Sequence, residues 1–204
     1  MHGTIRLPQL MRDVLVRASS YDEDEHQIDV VFTTGATVRR RSFVEGEFDE
    51  ELVVSGKAVR LDRLNRGAPL LDSHMAMSVE NILGSVIPGS ARITKGEGMA
   101  RIQLTRAPEK AGIVQGIRDG AIRSISVGYK VHVMERKERR GQVPLHRAVD
   151  WEPMEISVVP IPFDAGAQIR ADQSPELFEC RVIADRDTVL TRMQVRHAAR
   201  RLTV

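Results

Sequence analysis

A serine stands in the most regular strand pattern of the sequence. Apolar residues occupy every second position from Ile125 to Val133, and Ser126, Gly128 and Lys130 are among the residues between them. Because successive side chains of a strand point to opposite faces, the pattern predicts a half-buried strand with the serine hydroxyl on the face away from the core. Gly128 would leave a gap beside that hydroxyl, where a substrate backbone could come close.

A carboxylate and a second serine follow in another strand pattern. Met154, Ile156 and Val158 are apolar and alternate with Glu155 and Ser157. This alternation predicts that Glu155 and Ser157 also project away from the core. A serine and a carboxylate could therefore share one outward surface of the same sheet.

Serine becomes a useful nucleophile at neutral pH only beside a base, and histidine is the usual base. Of the six histidines, His74 alone ends an apolar segment and precedes a loop, which is typical of a positioned functional residue. The residues alone leave a Ser126–His74 pair open, since an outward serine usually just faces solvent and a histidine beside a loop usually serves packing. The other histidines lie in the N-terminus, an acidic turn, a charged hairpin and the arginine-rich C-terminus: His2, His26, His132, His146 and His197.

Other catalytic groups fit the sequence less well. A Ser126–Lys130 dyad is disfavoured, because four residues along a strand separate the two by about 13 Å at roughly 3.3 Å per residue. Cys180 lies in a segment without a clear pattern, so a small buried hydrophobe is the better interpretation. No cluster of His, Cys, Asp and Glu has the spacing of metal ligands, and we expect neither a metal nor a cofactor.

The composition is that of a soluble globular protein. The 204 residues are 42% hydrophobic and 28% charged, which suits one domain, or one domain plus a tail. The net charge of +2 indicates no strongly charged partner, and we expect neither a nucleic-acid nor a membrane partner. With one cysteine, no signal peptide and no membrane-spanning stretch, we expect a cytoplasmic protein.

Many strands and few helices must position these side chains. We interpret residues 1–170 as one domain of the α+β class, mainly β, built as a mixed β-barrel or curved sheet flanked by helices. Residues 171–204 are interpreted as a tail or peripheral element, and residues 35–56 as a long loop that holds no more than one strand. The predicted helices cover residues 57–64, 108–120 and 188–202, and the predicted strands cover residues 14–18, 27–34, 82–87, 99–105, 125–133, 147–151 and 154–159.

Four segments, taken in order, resemble elements of the tailed-phage prohead protease family. The segment with His74 is similar to the family's P-L-L-x-x-H element, and the segment with Ser126 is similar to its S-V-G-Y/F element. The other two are similar to a hydrophobic-G-x-V strand and to an E-x-S-x-V-x-x-P strand. Each motif is short, but their order and spacing are specific together, over about residues 14 to 170. The segments are GAPLLDSH at 67–74, ILGSV at 82–86, GAIRSISVGY at 120–129 and WEPMEISVVPIP at 151–162.

The resemblance implies a fold and an activity. The family is related to the herpesvirus assemblins and also occurs fused to the major capsid protein. An assemblin-like β-barrel flanked by helices would form the prohead protease domain, residues 1–170. The implied enzyme is a serine endopeptidase that cleaves the scaffold or delta region of the major capsid protein, and itself, inside the assembling procapsid in the bacterial cytoplasm. Homo-oligomer formation stays open.

Carried over to this sequence, the resemblance also assigns roles. Ser126 matches the family serine and would attack the scissile carbonyl, and His74 matches the family histidine and would be the general base. Glu155 matches the family's acidic position and would orient the imidazole, as the third member of a triad does. Assemblins have a second histidine in that place, so Asp72 and Asp150 remain alternative acids.

Several alternatives stay open beside this interpretation. The runner-up function is a catalytically inactive capsid assembly or scaffolding protein with the same barrel. An unrelated β-barrel binding module would leave the co-occurrence of the four segments to chance. For an active enzyme, the oxyanion hole has two candidates, backbone N–H groups near Gly128 and the side chain of Arg123. The tail at 171–204 would be either trimmed by self-cleavage or used to tether the enzyme to the scaffold.

Overall fold

The computed structural model describes residues 3–15, 20–42, 46–160 and 177–184. These residues form one mixed sheet of twelve strands with few helices, which confirms the prediction of a mainly β protein. The strands are β1 (Gly3–Pro8), β2 (Leu10–Leu15), β3 (Gln27–Thr33), β4 (Val38–Ser42), β5 (Gly46–Leu52), β6 (Pro69–Asp72), β7 (Ile82–Val86), β8 (Arg92–Thr94), β9 (Glu97–Leu104), β10 (Ser124–Lys137), β11 (Leu145–Val158) and β12 (Leu177–Ala184).

Two short α-helices accompany the sheet in the part of the chain that the structure describes, α1 (Asp62–Asn65) and α2 (Ala111–Arg118). α2 lies within the helix predicted at 108–120, and Pro108 begins a 3₁₀ turn directly before it, where its missing N–H would have had no helical partner. The helix predicted at 57–64 is reduced to the single turn of α1. None of the helices in the described ranges is long and apolar enough to cross a membrane.

The antiparallel pair β10–β11 is the centre of the sheet. The hydrogen-bonded path runs β1-β12-β10-β11-β6-β7-β9-β3. β2 pairs with the first half of β10, and β12 pairs with its second half, while β5 and β6 pair with opposite ends of β11. The path ends at β1 and β3, so the sheet does not close into the expected β-barrel within the described ranges.

The first part of β10 is buried on both faces. Ile125, Val127 and Tyr129 are at most 1% exposed, as the apolar alternation predicts, but Ser126 between them is also 0% exposed. The prediction of a half-buried strand is therefore wrong here. Its second face is covered by side chains from elsewhere in the chain, among them that of Gln9, which lies over Gly128.

A buried ionic network ties three strands to β10. Glu50 on β5 is 1% exposed, and its Oε2 accepts hydrogen bonds from Arg12 at 3.1 Å, Arg40 at 3.0 Å and the Tyr129 hydroxyl at 2.7 Å. Burial alone would raise the pKa of Glu50, but the charges of Arg40 and Arg12 outweigh burial and hold the pKa below its usual value. Burial and the Glu50 carboxylate together raise the pKa of Tyr129. The network fixes β2, β4 and β5 against the strand that contains Ser126.

Two sequence interpretations change at the level of single segments. Most of residues 35–56 belongs to the hairpin of β4 and β5 rather than to a loop. Of residues 171–204 the structure describes only β12, which lies between β1 and β10 in the main sheet. The helix predicted at 188–202 falls outside the described residues. The division into a domain at 1–170 and a tail at 171–204 stays a prediction.

Candidate active site

A strained turn presents His74. β6 ends at Asp72, and the next two residues, Ser73 and His74, have φ values of 48° and 61°. The Met75 N–H donates to the Asp72 carbonyl at 2.9 Å, so the four residues have the pattern of a type I′ turn, which usually holds Asn and Gly at its centre. A residue other than glycine in this region costs about 1–3 kcal/mol, and such strain is concentrated at functional sites.

Residues of β11 contact both the backbone and the ring of His74. The His74 N–H donates to Ser157 Oγ at 3.1 Å, and His74 Nδ1 lies 2.6 Å from Glu155 Oε1. The two side chains are only 6% and 7% exposed. Ser157 Oγ in turn donates to Glu155 Oε2 at 2.6 Å. A carboxylate accepting from Nδ1 places the proton there and leaves the lone pair of the neutral imidazole on Nε2, where a general base needs it.

Ser126 lies on the same face of the hairpin. It pairs directly with Ser157 across β10 and β11, and Gly128 pairs with Glu155. Serine and carboxylate therefore share one face of the sheet, as predicted. That face is buried rather than outward, since Glu155 is 6% and Ser157 0% exposed. Ser126 Oγ and His74 Nε2 are both buried, and neither has a hydrogen-bond partner among the described residues. Buried polar atoms without partners are rare and costly. The hydroxyl and the free imidazole nitrogen are thus left available to each other or to a bound substrate.

Gly128 is required by the carboxylate. A Cβ at this position would lie 2.2 Å from Glu155 Oε1 and 2.2 Å from Gln9 Nε2, far inside van der Waals contact. The gap beside Ser126 therefore holds the Glu155 carboxylate and the Gln9 amide. The predicted gap is therefore filled in this structure, and the close approach of a substrate backbone at Gly128 stays a prediction that requires the Gln9 amide to move.

The alternative acids have other partners. Asp72 accepts a hydrogen bond from Ser73 Oγ at 2.8 Å. Asp150 forms a bidentate pair with Arg60, with N–O distances of 2.6 and 2.5 Å. Glu155 is thus the carboxylate that contacts the His74 ring in the described structure.

The remaining candidates lie apart from this cluster. The Lys130 ammonium lies 3.6 Å from the centre of the Phe178 ring, a cation–π contact. Cys180 is 0% exposed and packs in the core. Arg123 is exposed, and Gly128 lies in the ladder between β2 and β11, so the oxyanion donors stay a prediction. No group of three or more His, Cys, Asp and Glu in the described ranges could hold a metal ion.

Two parts of the site were not predicted from the sequence. Ser157 contacts both Glu155 and the His74 backbone, and the strand alternation had placed it beside Glu155 without giving it a role. Gln9 lies against Gly128, and no sequence signal connected a residue between β1 and β2 with the centre of the sheet.

Comparison with known proteins identifies the family of this chain. A sequence model of the caudovirus prohead serine protease family matches residues 50–179, which include His74, Ser126 and Glu155. The major capsid protein of Halomonas phage phiHAP-1 is 31% identical over 116 residues. That match covers 56% of this chain and 19% of the capsid protein, so the chain spans about a fifth of its relative's length. No solved structure matches the chain. Because the family match extends over more than half of the sequence, the chain belongs to the caudovirus prohead serine protease family.

Proposed function

We propose that the chain is a serine endopeptidase in which Ser126 is the nucleophile, His74 the general base and Glu155 the residue that orients the imidazole. The observation that supports this most directly is the 2.6 Å contact between His74 Nδ1 and Glu155 Oε1. It leaves Nε2 unpaired beside the hairpin face where Ser126 Oγ is also unpaired. These are the three groups that acyl transfer by a serine requires.

The proposed reaction passes two protons through His74, one during acylation and one during deacylation. Ser126 Oγ attacks the carbonyl carbon of the scissile peptide while its proton passes to His74 Nε2. The imidazolium, faced by the Glu155 carboxylate, then donates that proton to the leaving amine as the C–N bond breaks. A water molecule, deprotonated by the same nitrogen, then attacks the acyl carbon. The imidazolium returns that proton to Ser126 Oγ as the ester C–O bond breaks and the carboxylic acid product leaves.

The proposed substrate is the scaffold or delta region of the major capsid protein, together with the chain itself, inside the assembling procapsid. Support comes from the family match and from the relative, a phage major capsid protein. The loop after His74 also suits a polypeptide substrate. It exposes the apolar side chains of Met75, Met77 and Val79 to solvent, at 54%, 90% and 82%, and exposed apolar groups of this kind mark interaction sites.

One observation favours the runner-up, a capsid assembly protein without activity. Ser126 is fully buried and forms no hydrogen bond with His74 among the described contacts. A scissile carbonyl can reach the serine only after the covering groups move. The protease proposal therefore includes an opening of the site, and catalytic hydrogen bonds often tighten only when substrate is bound.

Cleavage by single-site variants tests the proposal. The chain is incubated with the capsid protein of its own phage, and the products are followed by gel electrophoresis and mass spectrometry. We expect Ser126→Ala and His74→Ala to abolish cleavage while the circular dichroism spectrum and the thermal midpoint stay near those of the wild type. Glu155→Gln should cause a large but incomplete loss of cleavage. The amide has nearly the volume of the carboxylate, but it lacks the charge that orients the imidazole and stabilises its cation.

Ser124→Ala is the matched control. Ser124 is a buried serine on the same strand and the same face, and it bonds neither His74 nor Glu155. The Ser124→Ala variant should therefore cleave the capsid protein at the wild-type rate. Processing by Ser126→Ala at the wild-type rate would remove Ser126 from the role of nucleophile. No cleavage by the wild type in assembled procapsids would favour the inactive assembly protein.

A further inference from the structure

We propose that Ser157 is a positioning residue of this site, one that fixes the Glu155 carboxylate and the His74 turn relative to each other. The inference rests on the proposed function, and it concerns a side chain for which the triad has no role. Ser157 is 0% exposed and lies directly across the hairpin from Ser126.

One hydroxyl makes two different contacts. Ser157 Oγ accepts the His74 N–H at 3.1 Å and donates its own hydrogen to Glu155 Oε2 at 2.6 Å. A serine hydroxyl has one donor and two acceptor sites, so both contacts can form at once. Since Glu155 Oε1 meets the His74 ring at 2.6 Å, the three residues form a closed ring of hydrogen bonds.

The ring determines where the imidazole points. The donated hydrogen occupies Oε2 and turns Oε1 toward Nδ1, while the accepted hydrogen bond holds the His74 backbone at its φ of 61°. Without Ser157 the carboxylate could rotate and the turn could relax to a conformation of lower strain. In both cases Nε2 would move away from Ser126.

The geometry argues against Ser157 as the nucleophile itself. Its hydrogen points to a carboxylate, and its contact with His74 is to the backbone nitrogen rather than to the imidazole. Ser126 Oγ, by contrast, has no partner that holds its hydrogen among the described residues.

Three substitutions separate a positioning role from a merely structural one. Ser157→Ala removes both contacts, Ser157→Cys keeps nearly the same volume with a weak donor, and Ser157→Thr keeps the hydroxyl. For Ala and Cys we expect kcat to fall by about 10²-fold with KM nearly unchanged, the loss typical of a displacement of about 1 Å at a reacting group. Thr should recover most of the turnover.

Two further measurements report on the ring directly. In the NMR spectrum of the wild type, the hydrogen-bonded Nδ1 proton of His74 should give a downfield resonance that Glu155→Gln abolishes. Ser157→Ala should shift or broaden that resonance, and Ser124→Ala should leave it unchanged. A fluorophosphonate probe should still label Ser126 in Ser157→Ala, more slowly than in the wild type.

Each failure has its own outcome. Wild-type turnover and an unchanged resonance in Ser157→Ala and Ser157→Cys overturn the positioning role of Ser157. If Ser126→Ala is inactive in the same assay, the proposed protease function still stands. If the fluorophosphonate probe labels Ser157 instead of Ser126, Ser157 is the nucleophile, and its positioning role is again overturned. Full activity of Ser126→Ala defeats the proposed function itself, whatever Ser157 does.

Discussion

Gly128→Ala is the smallest change that should disable the site. Glycine in the middle of a strand weakens it by roughly 0.5–1 kcal/mol relative to alanine, so the substitution would ordinarily strengthen β10. Here the added Cβ would lie 2.2 Å from both Glu155 Oε1 and Gln9 Nε2. Gln9 makes no hydrogen bond among the described residues and can move, whereas Glu155 is held by His74 and Ser157.

The size of the effect follows from the displacement. Real Cβ contacts are almost never shorter than 3.0 Å, so the carboxylate must retreat by about 1 Å, which corresponds to about a 10²-fold loss of turnover. Complete loss of the Glu155–His74 bond would bring the loss to about 10⁴-fold. Overpacking of this kind costs about 1–3 kcal/mol, which lowers the thermal midpoint by roughly 2–12 °C for a chain of this length.

The assay compares kcat for capsid-protein cleavage with the thermal midpoint, and Gly112→Ala in α2 is the control. A Cβ at Gly112 meets nothing within 4 Å, so alanine should stabilise the helix slightly and leave turnover unchanged. The reasoning fails if Gly128→Ala loses stability but keeps full turnover, because the position of the carboxylate would then have no bearing on the reaction.

Two further predictions concern the buried network and the loop after His74. The pKa of Glu50 is lowered in the folded state, so the unfolded chain takes up protons first as the pH falls, and the stability due to this group is present above about pH 4.5 and lost below it. Glu50→Gln should lower the free energy of unfolding at pH 7 by about 3–5 kcal/mol, because it leaves buried Arg12 uncompensated. In urea titrations at several pH values, the variant should also lose less stability than the wild type as the pH falls below about 4.5. The same pH dependence of stability in variant and wild type would contradict the assignment to Glu50. Met77→Ser should raise KM for the capsid protein and leave kcat unchanged, while Leu177→Ser, at another exposed apolar residue, should change neither. An equal KM for both variants and the wild type would exclude Met77 from substrate contact.

The parts of the site that the sequence predicts are those set by local alternation. Odd and even positions in β10 and β11 placed Ser126, Glu155 and Ser157 on one face, and the register of the hairpin confirms that placement. Alternation records which residues share a face and not what covers that face. The cover over this face comes from residues far away in the chain, such as Gln9 beside Gly128, and cannot be predicted from a window of ten residues.

The His74 turn illustrates a second limit. Two consecutive residues with positive φ values are usually Asn-Gly or Gly-Gly. Ser73 and His74 have positive φ values without that sequence signal. The conformation is held by long-range hydrogen bonds, from Ser73 N–H to the Val158 carbonyl and from His74 N–H to Ser157 Oγ. The pairing of β6 with β11 that brings these groups together is a property of the whole sheet, which pattern analysis of single segments does not determine. For the same reason the sequence pattern predicts a loop where the structure has the hairpin of β4 and β5.

The cost of this arrangement bears on whether the protein is an enzyme. Two residues of the turn lie in the left-handed region, at about 1–3 kcal/mol each, and two buried polar atoms, on Ser126 and His74, lack partners, at about 1–3 kcal/mol each. Together these terms approach the whole stability of a typical domain. An inert assembly protein could relieve them by single substitutions, such as alanine at Ser126 or glycine at Ser73, without changing the surface that its sheet presents to partners. A hydrolase cannot, because the unpaired hydroxyl and the unpaired nitrogen are the atoms that must react. Unpaired buried atoms also occur outside the site, on Arg12 and Glu50, and left-handed residues occur at His26 and Lys95. The cost alone therefore fits both functions, and the cleavage assay of the wild type and of Ser126→Ala decides between them.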